Sequence, residues 1–174
     1  MRKPSIILTI PVLALLTQPL WAPQWGAGVL GEIAAFGPVG AVCALVVFFG
    51  LVALYCRTLA RFVALVPENL RVGTPRSVWL MFAIPFNFAE DFFIVAAISG
   101  SLRADGRVSD GRRRLWAATG YAWCGLQIAS LFPGPMGVLS GVLALLVWAG
   151  NWTHAALLRR SLATTTESER ETSL

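Results

Sequence analysis

Three polar side chains interrupt an otherwise apolar stretch of the chain, residues 78–99. Asn87, Glu90 and Asp91 are spaced i, i+3, i+4, which places them on one face of a helix that begins near Pro85. A charged side chain at the centre of a bilayer costs about 2.5–3.5 kcal/mol on insertion scales, so such a residue is a functional hypothesis by default. The spacing predicts an intramembrane polar site that could relay a proton or an ion.

The expected partners of the two acids are Arg57 and Arg61, which lie one helical turn apart at the end of the preceding apolar stretch. Two other interpretations stay open. The acids could lie among the lipid headgroups and only set the insertion depth, or they could form a structural ion pair with these arginines.

The second group of candidate residues is a basic loop between residues 100 and 114. Its arginines could bind anionic lipid headgroups or an acidic surface of a partner, at about 1 kcal/mol per basic residue. The alternative is that they only anchor the topology. The arginines are Arg103, Arg107, Arg112, Arg113 and Arg114.

His154 is the only histidine and is a secondary candidate. An imidazole can move protons near neutral pH. A single histidine near the end of a helix, however, more often complements the helix dipole.

The sequence lacks the residue patterns of common enzyme classes. It contains no Gly-Lys-Ser/Thr phosphate loop, no His-Glu-x-x-His and no Gly-x-Ser-x-Gly. The three cysteines are spread singly, so neither a zinc site nor a redox pair is expected. We therefore expect a protein that is not an enzyme and that binds no metal and no cofactor.

The composition indicates a lipid environment. Of the 174 residues, 56% are hydrophobic and 13% are charged, whereas soluble domains have about 45–50% and 25%. The net charge of +5 comes from basic residues between long apolar runs. This arrangement favours anionic lipid headgroups over nucleic acid as the partner.

Five apolar stretches are long enough to cross a bilayer, which takes about 20 helical residues. If all five cross, the basic residues divide almost evenly between the two sides. If residues 78–102 instead form a re-entrant or interfacial helical hairpin, with its bend near Ile84–Asn87, all 14 Lys and Arg residues fall on one side. The positive-inside rule prefers this second arrangement.

The sequence thus predicts an all-α membrane protein with four transmembrane helices and the hairpin; five transmembrane helices are the alternative. Residues 1–160 form one integral membrane domain with both termini in the cytoplasm, and 161–174 form a polar cytoplasmic tail, expected to be frayed or disordered. Seven tryptophans, most of them near the ends of the apolar stretches, predict an interfacial belt. The predicted spans are about 5–25, 38–58, 115–132 and 137–158.

The first stretch has a second interpretation. A basic start, an apolar middle and a possible cut after Ala22 are features of a secretory signal. The large Leu20 and the following Pro23 oppose cleavage, which favours a retained helix.

Residues 67–102 resemble the shared core of a group of small multi-pass bacterial membrane proteins of unknown function. The resemblance implies a cell inner (plasma) membrane location and supports Trp79, Pro85 and Asn87 as shared features. It implies no acid-based mechanism, because the group more often has an aromatic residue and an amide at the positions of the two acids. The proline also lies one residue closer to the asparagine here. The matching residues are Pro67-Glu68, Arg71, Thr74-Pro75, Val78-Trp79, Ile84-Pro85-Phe86-Asn87, Phe92-Phe93 and Ser99-x-Ser101-Leu102.

We expect the protein to be a non-enzymatic scaffold or accessory subunit of a larger membrane complex, or a homo-oligomer. The alternative is a small transporter or a proton- or ion-conducting protein, in which the polar residues of a broken helix line a path.

Overall fold

The computed structural model describes residues 3–26 and 28–172, and these residues form helices and no strand. The expectation of an all-α protein is confirmed. The α-helices, in chain order, are α1 Lys3–Leu16, α2 Gln18–Trp21, α3 Gly28–Ala34, α4 Gly37–Ala64, α5 Asn87–Asp105, α6 Asp110–Ala129 and α7 Pro135–Thr172; the 3₁₀ helices are Pro23–Trp25, Glu68–Leu70 and Pro75–Phe82.

The first predicted span is not one continuous helix. It divides into α1, α2 and the 3₁₀ helix Pro23–Trp25. Pro19 lies in the first turn of α2 and has no N–H for a hydrogen bond back into α1. The 14 residues of α1 extend about 21 Å, which is short of a hydrocarbon core of about 30 Å.

Two helices are long and apolar enough to cross a membrane, and four predicted spans are therefore not supported on this criterion. They are α4 and the Pro135–Thr164 part of α7, which contain the predicted spans 38–58 and 137–158. The 20 residues of α6 include three consecutive arginines close to its start, so its apolar part is too short. Both long helices leave many apolar side chains on the surface, which suits a surrounding of lipid.

The predicted hairpin region contains two arms joined at residues 83–86. The 3₁₀ helix Pro75–Phe82, which we call the inward arm, ends at a turn that contains the cis Ile84–Pro85 bond. The chain then returns as α5. Gly106, with φ of 74°, ends α5 in the left-handed conformation that suits glycine at this position.

The polar tail continues α7 as a helix through Thr172, contrary to the expectation of a frayed segment. A helix that is already formed by packed residues extends at low cost, because only the first turn pays for nucleation.

The buried core lies between α4, α5, α6 and α7 at one end of the bundle. In α4 the buried side chains all come from the second half, such as Tyr55, Leu59 and Phe62. Trp116 and Leu158 face them from α6 and α7. The first half of α4 is apolar yet mostly exposed, so the protein itself does not cover it.

Candidate functional site

Both ends of the hairpin are fastened to the same end of α4. Arg71, ahead of the inward arm, donates hydrogen bonds to the carbonyls of Val66 (2.8 Å) and Ala64 (3.0 Å). Arg107, after α5, donates to the carbonyl of Leu65 (2.8 Å). The last carbonyls of a helix lack partners within the helix and carry the negative end of its dipole, so arginine is a suitable cap.

We call one end of the bundle, where α4 and α5 terminate and α6 begins, the arginine end. Asp105 holds Arg107 in place, with both carboxylate oxygens 3.0 Å from Nε. The Asp105 side chain is 2% exposed and that of Arg107 is 18% exposed. This ion pair is therefore largely shielded from solvent.

Two serines of α5 hold the loop and the next helix against it. Ser101 Oγ accepts a hydrogen bond from the Val72 backbone N–H (2.9 Å). Arg113 donates to Ser99 Oγ (3.1 Å). Between them, a side chain at Gly100 would press against Val72 at 3.1 Å. Arg71, Ser99 and Ser101, which are among the residues that carry the resemblance over 67–102, thus make contacts that hold the fold together.

The inward arm runs along α4 away from the arginine end. Cys56 Sγ lies 3.4 Å from the Val78 carbonyl oxygen, and the rings of Phe49 and Phe82 stack with centroids 6.0 Å apart. Phe49 precedes the end of α4 by four turns of helix, about 22 Å. The turn of the hairpin therefore lies about 22 Å into the bundle.

The two acids lie in the first turns of α5, next to this turn, and both are buried. Glu90 is 3% exposed and Asp91 is 1% exposed. The Gln127 side chain lies close to the Asp91 carboxyl, whereas Asp91 Oδ1 and Asn87 Oδ1 are buried without a hydrogen-bond partner. The interpretation that the acids lie among hydrated headgroups does not fit this burial.

Arg57 and Arg61 are not brought to the acids. Both arginines are exposed, and neither forms an ion pair with Glu90 or Asp91 in the described part of the chain. The reason is the helical phase of α4: residues 55, 56, 59, 62 and 63 face the core, so positions 57 and 61 point outward.

The five arginines of the basic loop divide into two groups. Arg107 and Arg113 are half-buried and make internal hydrogen bonds, as described above. Arg103, Arg112 and Arg114 are exposed and are free to meet lipid or a partner. Arg113 also bonds Asp110, with Nη2 2.9 Å from Oδ1, and this hydrogen bond lowers the pKa of the Asp110 carboxyl.

His154 is half-buried on α7, within electrostatic reach of Arg112. It is not part of the acid site. No group of three or more His, Cys, Asp or Glu side chains that could hold a metal ion occurs within the described residues.

A polar network in the core links three helices through Asn151. The Tyr55 hydroxyl donates to Asn151 Oδ1 (2.8 Å). The Asn151 amide donates to the Trp116 carbonyl (2.8 Å) and to Thr119 Oγ1 (2.9 Å). An asparagine flanked by apolar turns favours a hydrogen bond to a neighbouring helix, and the structure identifies the partners.

The tryptophans form a core cluster as well as surface contacts. Trp123 and Trp148 stack with ring centroids 6.4 Å apart, and Tyr55 meets both edge-on. Trp116 is fully buried. The predicted interfacial belt is thus wrong for these three indoles, which fill space between α4, α6 and α7.

No family model matches this chain, and no curated protein or solved structure shows significant similarity to it. The geometry of the residues is accordingly the basis of the functional proposal.

Proposed function

We propose that this protein is a non-enzymatic membrane protein that acts as a scaffold or accessory subunit, within a larger complex or as a homo-oligomer. The observation that carries the proposal is the uncovered first half of α4. Among the described residues, its apolar side chains are mostly exposed, whereas the second half buries one face against the core. The exposed large apolar residues of the first half are Val39, Val42, Leu45, Val46, Val47 and Phe48.

The polar groups of the bundle support the same conclusion. Arg71, Arg107 and Asn151 hold helices together instead of converging on a substrate-sized cavity. Buried polar side chains of this kind fix one arrangement of the helices. A rigid body with an open apolar face is suited to binding other membrane helices.

The proposed topology has the arginine end in the cytoplasm of a bacterial cell, with the bundle in the inner membrane and both termini cytoplasmic. The hairpin enters and leaves at that end. Irregular backbone at membrane depth requires cover by protein or water; at this turn Pro85 and Phe86 are partly buried and Ile84 is exposed. Exposed basic residues at one end fit the positive-inside rule.

Four crossings remain our proposal for the whole chain. Helix α6 lies along α7 and is joined to it by residues 130–134, and this arrangement supports a crossing by α6 beside α7. The segment of α1, α2 and the following 3₁₀ helix would cross as a bent unit. Its Thr9 and Val12 are buried and α1 packs on α5.

The test is association through α4. The variant Gly50→Leu places a bulky side chain in open space on the exposed face of α4. Because leucine is a better helix former than glycine, the substitution should preserve folding. A steric cost of about 1–3 kcal/mol at the interface should weaken association by about 5- to 150-fold. The readout is the co-purified partner, or the oligomer mass, after mild-detergent extraction from native membranes.

The matched control is Gly125→Leu on the outer face of α6, where a side chain also meets nothing. It should associate as the wild type does. Clean monomers of the wild-type protein with no partner would contradict the proposed function. Equal weakening by both variants would contradict the role of α4.

A further inference from the structure

Within the described residues, the titratable side chains that face the Asp91 carboxyl are all acids. The titratable groups that face it are Glu90 on its own helix, Tyr55 and Cys56 on α4, and Cys124 on α6. All four are acids, either neutral or negative. Over residues 6–16, α1 brings no titratable side chain to α5. In the described part of the chain, no arginine or histidine reaches this carboxyl.

This surrounding decides the charge state of the carboxyl. An ionised carboxylate without a cation is very unfavourable in an apolar interior, and such a group takes up a proton instead. With 1% of its surface exposed, Asp91 cannot rely on water for solvation. Its neighbour Glu90 adds repulsion to any negative charge.

Two buried oxygens that lack a hydrogen-bond donor also favour a protonated Asp91. Asp91 Oδ1 and Asn87 Oδ1 are both buried, and neither has a hydrogen-bond donor. They belong to residues one turn apart on the same face of α5. An ionised aspartate offers only acceptors, whereas a protonated one also offers a donor. A proton on Asp91 would therefore add a hydrogen-bond donor to the face of α5 that carries both unpaired oxygens.

We propose that Asp91 is a proton-binding site at the turn of the hairpin, occupied at neutral pH. The proton resides on Oδ1, the carboxyl oxygen that has no donor. The Gln127 side chain lies close to the same carboxyl. The site does not depend on the accessory role proposed above, since it requires only the burial of α5 against α4 and α6.

Infrared spectroscopy of the full chain in lipid nanodiscs at pH 7 tests this directly. A protonated carboxyl shows a carbonyl stretch at higher wavenumber than the carboxylate bands. In wild-type protein carrying side-chain carboxyl ¹³C aspartate, that band should shift with the isotope. The two other aspartates are Asp105 and Asp110, each bonded to an arginine, so they contribute carboxylate bands.

Two variants assign the band. Asp91→Asn, which mimics the neutral acid in shape, should lose the band and should unfold at the wild-type temperature or above. Glu90→Gln should keep it. Absence of an isotope-sensitive band in the wild type would overturn the proposal, and so would its loss in Glu90→Gln or its retention in Asp91→Asn.

A sodium titration at constant pH distinguishes a proton from a small cation. The band should be the same in NaCl and in KCl at equal ionic strength. Loss of the band in NaCl alone would mean that Na⁺ displaces the proton, and it would overturn the assignment of the site to a proton.

Discussion

Asn151 illustrates how one side chain joins the helices of this protein. Its carboxamide uses both ends, with the Tyr55 hydroxyl on the oxygen side and α6 on the nitrogen side. In an apolar surrounding, each of these groups would be costly to leave without a partner. A single polar residue on α7 thereby fixes the positions of α4 and α6 relative to it.

Asn151→Leu is expected to lower the free energy of unfolding by about 1–3 kcal/mol, because it leaves the Tyr55 hydroxyl and Thr119 without their partner. The measurement is reversible unfolding in a detergent series. The control is Thr153→Ala, which loses only a bond to the Ala149 carbonyl of its own helix and should change stability by less than 0.5 kcal/mol or so. Equal losses in the two variants would contradict the importance of the network.

The arginines separate into structural and exposed residues for a similar reason. Spacing along the chain gives five equivalent arginines between residues 100 and 114. Whether one of these arginines stabilises the fold depends on the carbonyl and hydroxyl groups that the fold places beside it. Asp110, held by Arg113, contributes stability above its unfolded-state pKa, and this contribution is lost as the pH falls through its lowered folded-state pKa.

At the scale of elements, the hairpin is defined by its two fastened ends. Arg71 and Arg107 come from opposite sides of the hairpin and cap one helix terminus. The sequence located the bend, because Pro85 interrupts an apolar run. It could not show that the two flanking arginines meet.

Arg107→Gln should destabilise the protein by about 3 kcal/mol, because it leaves the buried Asp105 carboxylate without its cation and the Leu65 carbonyl without its donor. The thermal midpoint and the rate of proteolysis within residues 64–75 report this loss. Arg103→Gln, on an exposed arginine of the same segment, serves as the control and should leave both unchanged. If the two substitutions had the same effect, the contacts of Arg107 with Asp105 and with the Leu65 carbonyl would not stabilise the protein.

For the whole molecule, the arrangement of charge and apolar surface carries the membrane proposal. The whole of α4 and the Pro135–Thr164 part of α7 are apolar over lengths that suit a bilayer. The exposed arginines lie at one end. In the proposed topology, the apolar surface faces lipid and the arginine end faces water.

Cysteine labelling in intact membranes with an impermeant maleimide tests the topology. In a Cys43→Ala background, where Cys56 and Cys124 are buried, Arg76→Cys and Ser109→Cys flank the hairpin and should label from the same side. Met136→Cys, at the start of α7, should label from the other side. Labelling of positions 76 and 109 from opposite faces would contradict re-entry.

The sequence by itself determined the helical class, the apolar environment, the bend at Pro85 and the two long helices, because these depend on composition and on short-range periodicity. Only the tertiary structure decided which side chains meet. It buried the acids away from Arg57 and Arg61, divided the first stretch, and placed indoles in the core. Contacts between distant segments depend on the rotation and depth of each helix in the bundle, and a hydrophobic pattern without a packed partner leaves both undetermined.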